Sequence, residues 1–153
     1  MHDSVTVHMD APVERVWDLV TDVTRIGEFS PETFEAEWID GSDGPEVGAR
    51  FRGHVKRNQR GPTYWSACEV TVCEPDEEFA FDVVAGGRTL NSWGYRLAGA
   101  DGGTDVTEYF RLPDTRATRI YWFLLGWARG RTNREGMQAT LERMKAVVEP
   151  TRE

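Results

Sequence analysis

Apolar and polar residues alternate from the start of the chain: Val5, Val7 and Met9 against Thr6 and His8. That period of two predicts a half-buried β-strand. Asp10 follows as a candidate helix N-cap, with Pro12 in the first turn, where its missing N–H costs little. Val13, Val16, Trp17 and Val20 then recur at i, i+3, i+4 and i+7, one face of a helix. Asp22 is placed to cap a second short turn through Val23 and Ile26, which Gly27 and Pro31 end.

From Thr33 to Pro113 the period stays at two. Phe34, Ala36 and Trp38 alternate ahead of a Gly/Asp/Pro turn at 40–45, and Phe51, Gly53 and Val55 alternate with Arg50, Arg52, His54 and Lys56. Residues 63–73 predict a long strand with Tyr64, Ser66, Cys68, Val70 and Val72 on one face and Trp65, Ala67 and Glu69 on the other. A β-bulge in it would exchange the faces beyond that point. Phe79, Phe81 and Val83 follow, then Trp93, Tyr95 and Leu97, then Val106, Glu108 and Phe110 opposed to Thr107, Tyr109 and Arg111. Short Gly-, Pro- and Asp-rich turns separate these runs, so about six consecutive strands form an antiparallel meander.

The last forty residues change period. Met137, Leu141, Met144 and Val148 make a helical stripe that Pro150 ends. Upstream, Ile120, Phe123, Leu124 and Trp127 fit the same spacing, but Tyr121, Trp122 and Leu125 make the opposite side apolar too. A helix apolar all round is expected to be covered on all sides. Gly126, Gly130 and Gly136 are points where it could bend or break.

The chain has 153 residues, 39% of them hydrophobic and 29% charged, which suits one globular domain spanning 1–153. The formal net charge of -8 argues against a nucleic-acid partner, since phosphate neutralisation dominates that affinity. Residues 1–112 carry 21 acids and 10 bases and residues 113–153 carry 5 and 8, an acidic body with a mildly basic tail. Two cysteines give no disulfide framework, and the first residues lack the basic and apolar regions of a signal peptide, so a cytoplasmic protein is expected.

A twisted sheet and a straight helix cannot touch along their whole length, so a long terminal helix laid over the sheet leaves space beneath it. Against close packing stands the supply of bulky aromatics and flexible Met facing that space. The order β-α-α, six strands and a long helix resembles the START-like (helix-grip) SRPBCC superfamily, in its polyketide cyclase/dehydrase branch. The residues that carry the resemblance are Asp10 to Asp22, Val47 to Gly53, Trp65, Glu74-Pro75, Phe79 to Phe81, Trp93 to Leu97, Gly103 to Glu108 and Asn133 to Lys145. The resemblance implies an α+β helix-grip fold, a curved antiparallel sheet wrapped around the C-terminal helix. It does not imply one activity, because the superfamily includes lipid carriers, hormone-binding proteins and aromatase/cyclases.

The candidate ligand-binding set is Phe51, Trp65, Phe81, Trp93 and Tyr95, facing Met137, Leu141 and Met144, with Asn91 as a polar group. Such a wall would bury an aromatic, polyketide or lipid-like molecule. Glu69, Tyr95 and Tyr109 are the candidate acid/base groups, since a tyrosine or an acid in an apolar pocket can polarise a carbonyl or move a proton from carbon. His54 shares a face with Arg50, Arg52 and Lys56 and is read as solvated; Arg111 is a further polar candidate. No nucleophile–base pair can be nominated. His2, His8 and His54 have no metal-ligand spacing, Cys68 and Cys73 should point to opposite faces, and no dinucleotide or phosphate loop is present. No metal or cofactor is therefore expected.

Three functions remain open at this level. The first is binding of a small hydrophobic molecule between sheet and helix; the second is a cofactor-independent cyclase, aromatase or dehydratase using the same pocket. The third is an adaptor docking on a membrane or a protein through residues 120–127, where Arg129, Arg131 and Arg134 flank the aromatics. For that segment burial with a gating role ranks first, a homodimer contact second and transient membrane contact third. An inward, desolvated acid beside a donor would favour the enzyme, and a smooth apolar cavity the carrier.

Overall fold

A computed structural model of the protein describes residues 2–56 and 61–150, including all side chains of the final helix except those at 122 and 125–130. The elements are β1 (His2–Met9), α1 (Val13–Thr21), a 3₁₀ turn (Val23–Glu28), β2 (Thr33–Ile39), β3 (Arg50–Val55), β4 (Tyr64–Glu74), β5 (Glu78–Ala85), β6 (Arg88–Ala100), β7 (Gly103–Arg111) and α2 (Arg116–Val148). The seven strands form one antiparallel sheet in the order β1-β7-β6-β5-β4-β3-β2, so β2 to β7 are the meander read from the alternation. The fold is α+β, a curved sheet with a C-terminal helix on one face.

The helix starts follow local chemistry. Asp22 caps the 3₁₀ turn by accepting from the Thr24 backbone N–H at 3.1 Å, as expected. Asp10 caps nothing; α1 begins after Pro12 with no side-chain cap, and the Asp10 N–H instead donates to Glu149 Oε1 at 2.9 Å. That bond ties the end of β1 to the far end of α2. At the other end of α2, Thr115 and Thr118 form a reciprocal capping box. Gly126, Gly130 and Gly136 do not break the helix, which runs through all 33 residues.

Among the described side chains of α2, only those of its second half are packed into the core. Leu141, Met144 and Val148 join Met9, Leu19 and Val106 in one buried cluster between α1, β1 and the sheet. The first turns depart from the body. Phe123 is 87% exposed, and Ile120, Tyr121 and Leu124 are exposed as well. Burial under the sheet edge, expected for 120–127, is therefore not found at these four residues; Trp122, Leu125 and Trp127 lie outside the described side chains. At about 1.5 Å per residue the 33-residue helix is roughly 50 Å long.

A bulge sits in β4, between Val70 and Val72. It turns Cys73 rather than Val72 toward the core, opposite buried Phe79, so Cys68 and Cys73 share a face despite their odd spacing.

Candidate functional site

The space between the strands β3–β7 and the middle of α2 is a cavity of about 860 Å³. It exists because α2 rests on β1 and β7 at one side of the sheet, while α1 packs on β6 and the 3₁₀ turn on β2, so α2 leaves the middle of the sheet uncovered along part of its length. Its floor is aromatic. Phe51 meets Phe81 edge-on with ring centroids 5.0 Å apart, and Trp93 lies 4.7 Å from Phe110. Met137 and Thr140 of α2 form the roof, Ile26 closes one end, and half-exposed Tyr64, Leu90 and Tyr121 stand at the opening. A volume of this size suits a drug-sized guest.

The floor ends in an acid. Glu108 is 5% exposed and its Oε1 accepts from the Tyr95 hydroxyl at 3.3 Å. β6 and β7 place the two residues directly opposite one another, and both line the cavity. Loss of water pushes the Glu108 carboxyl up to about 8, with the Tyr95 hydrogen bond opposing only in part. Burial, and then the neighbouring carboxylate, raise the Tyr95 phenol well above its usual range. Glu108 is thus a neutral acid at pH 7. With Oε1 occupied by Tyr95, Oε2 is left to carry the proton; it is buried and has no partner. Asn91 Oδ1, on the same wall, is also buried without a partner.

Among the residues singled out from sequence, Phe51, Phe81, Asn91, Trp93, Tyr95 and Met137 line this cavity. Five others lie elsewhere. Leu141 and Met144 are fully buried in the solid part of the core, one residue and about one turn past Thr140 of the roof. Trp65 is on the outer face, because the β3–β4 register pairs it with His54 while Ser66 and Cys68 fall beside Gly53 and Phe51. It stacks on the His54 ring at 4.3 Å under the Arg52 guanidinium, and His54 in turn bonds Glu35. Glu69 is exposed on that outer face, opposite Arg50. Tyr109 also faces outward: its ring covers Gly94 and is held between the guanidinium groups of Arg96 and Arg111. The acid that does enter the cavity is Glu108. Its signal in the sequence is an acid at the strand position between apolar Val106 and Phe110, on the face their alternation turns inward.

The thiol of Cys68 reaches the cavity wall, but burial pushes it up to about 12, so it stays protonated and is no nucleophile at neutral pH. Among the described residues no three His, Cys, Asp or Glu side chains are grouped to hold a metal ion. No helix among them is long and apolar enough to cross a membrane.

Residues 2–149 match the model of the family described as polyketide cyclase / dehydrase and lipid transport. The chain belongs to this family. Solved structures similar to this polyketide cyclase family member include a protein from Nitrosomonas europaea, 13% identical, covering 96% of this chain and 93% of its own, with a TM-score of 0.70. Another, from Mycobacterium smegmatis, is 18% identical over 95% and 89% with a TM-score of 0.64. A polyketide-cyclase-like protein from Corynebacterium glutamicum is 26% identical over 97% and 88%, at a TM-score of 0.58. Among curated proteins, none matches the chain. For this family member the likenesses below a quarter identity speak for the helix-grip fold alone.

Proposed function

We propose that the protein binds a small hydrophobic molecule in the cavity between the sheet and α2, oriented by the Glu108–Tyr95 pair. The observation that carries this reading is an aromatic-floored space of about 860 Å³ whose inner wall holds an unpartnered, buried carboxyl oxygen. Apolar area removed from water would supply affinity at roughly 25 cal/mol per Å², and the one polar contact would set orientation. Native mass spectrometry of protein purified from its own host tests it: a co-purifying small molecule is expected, displaced by added hydrophobic probes. A folded protein that carries nothing and binds no probe contradicts it.

A second reading is favoured by the same acid. A desolvated, protonated carboxyl beside a tyrosine hydroxyl is suited to give its proton to a carbonyl oxygen, and the carboxylate so formed to take the proton from the adjacent carbon, which leaves a neutral enol and the acid restored. The cofactor-independent cyclase or dehydratase would use Glu108 with Tyr95, in place of Glu69 or Tyr109. Deuterium exchange next to the carbonyl of a bound aryl ketone, faster with the wild type than with Glu108→Leu, supports turnover; equal rates leave binding alone.

A further inference from the structure

The two unpartnered oxygens on the cavity wall are not neighbours. Asn91 and Tyr95 are four residues apart on β6, about 13 Å along an extended strand. Glu108 faces Tyr95 across the β6–β7 ladder. The bulge in the β5–β6 pairing lies on the far side of Asn91, so the stretch between the two is regular. Between them the wall is Trp93 with Phe110 at its side, two aromatic rings whose single polar group is the Trp93 indole N–H. A buried donor or acceptor left unsatisfied costs about 1–3 kcal/mol, so each end asks for a partner that the protein does not supply.

Resting on the ligand-binding reading above, we propose that the cavity takes an elongated, uncharged molecule with an apolar middle and an oxygen function at each end. A carbonyl or hydroxyl oxygen meets Glu108 Oε2, and a hydroxyl donates to Asn91 Oδ1. A cationic group is disfavoured at the Glu108 end, though Glu32 and Glu135 also line the cavity: pairing it with Glu108 requires both charges to leave water beside Trp93 and Phe110, and that desolvation exceeds what one contact returns. Length is part of the recognition, because a guest with a single polar end leaves the other oxygen dry.

Four neutral biphenyls make the test, with the cationic 4-(aminomethyl)biphenyl as a fifth compound: 4-acetyl-4′-hydroxybiphenyl, 4-acetylbiphenyl, 4-hydroxybiphenyl and 4-ethylbiphenyl, titrated calorimetrically into the whole protein at pH 7. The doubly substituted probe is expected to bind at least about fivefold tighter than either singly substituted one. Glu108→Leu should erase the advantage of the acetyl group and Asn91→Leu that of the hydroxyl, while Glu108→Gln, which keeps a neutral donor, preserves the acetyl preference. Retained 4-ethylbiphenyl binding by each variant shows that the cavity stands. If all four probes bind the wild type alike, or if 4-(aminomethyl)biphenyl binds tighter than 4-acetylbiphenyl, this proposal is overturned while ligand binding survives. If none of them binds, the ligand-binding reading fails first.

Discussion

Tyr95 donates its hydroxyl to Glu108 across 3.3 Å at the inner end of an apolar cavity, and the two residues sit directly opposite on β6 and β7. The pairing leaves the second carboxyl oxygen buried with nothing to bond. Burial of a carboxyl is costly for folding unless it is neutral or paired, so a half-satisfied acid at this spot is the group that the proposed ligand would meet.

The buried acid makes stability depend on pH. Its ordinary value is 4.5 and the fold raises it to about 8, so between those limits the folded protein keeps a proton that the unfolded chain has released. Its contribution is full below about pH 4.5 and is lost as pH rises through about 8, on the order of 3–5 kcal/mol across the window. His8, whose value Asp105 also raises, slopes the same way, so the comparison is made with Glu108→Gln. Urea unfolding at pH 5 and pH 9 should show the variant losing much less stability than the wild type; parallel losses would mean the carboxyl is hydrated.

Trp93 and Trp65 provide a matched pair of reporters. Trp93 lines the cavity and Trp65 lies on the outer face under Arg52. A quenching hydrophobic probe should lose most of its signal in Trp93→Phe and keep it in Trp65→Phe. The reverse pattern would place the probe on the convex side of the sheet.

Leu141 is a packing residue. It is fully buried against the core cluster and does not reach the cavity, so Leu141→Ala should cost about 2–5 kcal/mol in chemical denaturation. Probe affinity measured well below the melting temperature should stay within about threefold of the wild type, a change under 1 kcal/mol. A large loss of affinity at unchanged stability would move Leu141 into the site.

On the outer face, Gly94 leaves the room that the Tyr109 ring occupies, and a Cβ there would overlap the ring. Because Arg96 and Arg111 hold the ring in place, Gly94→Ala should destabilise by about 1–3 kcal/mol, and Tyr109→Phe should leave ligand binding and any turnover unchanged. Loss of activity in Tyr109→Phe would contradict its outward placement.

The alternation of Phe51, Phe81, Trp93 and Tyr95 was enough to place those side chains on the cavity wall, because strand period and the sheet's burial agree there. It was not enough for Trp65. Being aromatic says nothing about side, and only pairing with His54 in the ladder settles it. Leu141 and Met144 read as lining because a helical stripe marks the inward face without showing how far along it the sheet falls away. Glu108 was legible as an acid at an apolar position, yet a sequence cannot show that Tyr95 stands opposite and supplies one bond only. Exposure of Phe123 and Leu124 escaped the pattern for a related reason: periodicity predicts that an apolar helix seeks cover and does not say whether the same chain provides it.

The most direct test of the central claim is where a small apolar guest contacts the protein. Intermolecular nuclear Overhauser effects from bound 4-acetylbiphenyl should reach the Met137 methyl and the Trp93 and Phe110 rings, with the acetyl methyl near Tyr95. Contacts confined to Ile120, Phe123 and Leu124 on the exposed turns of α2, with none to Met137 or Trp93, would contradict a guest housed between helix and sheet.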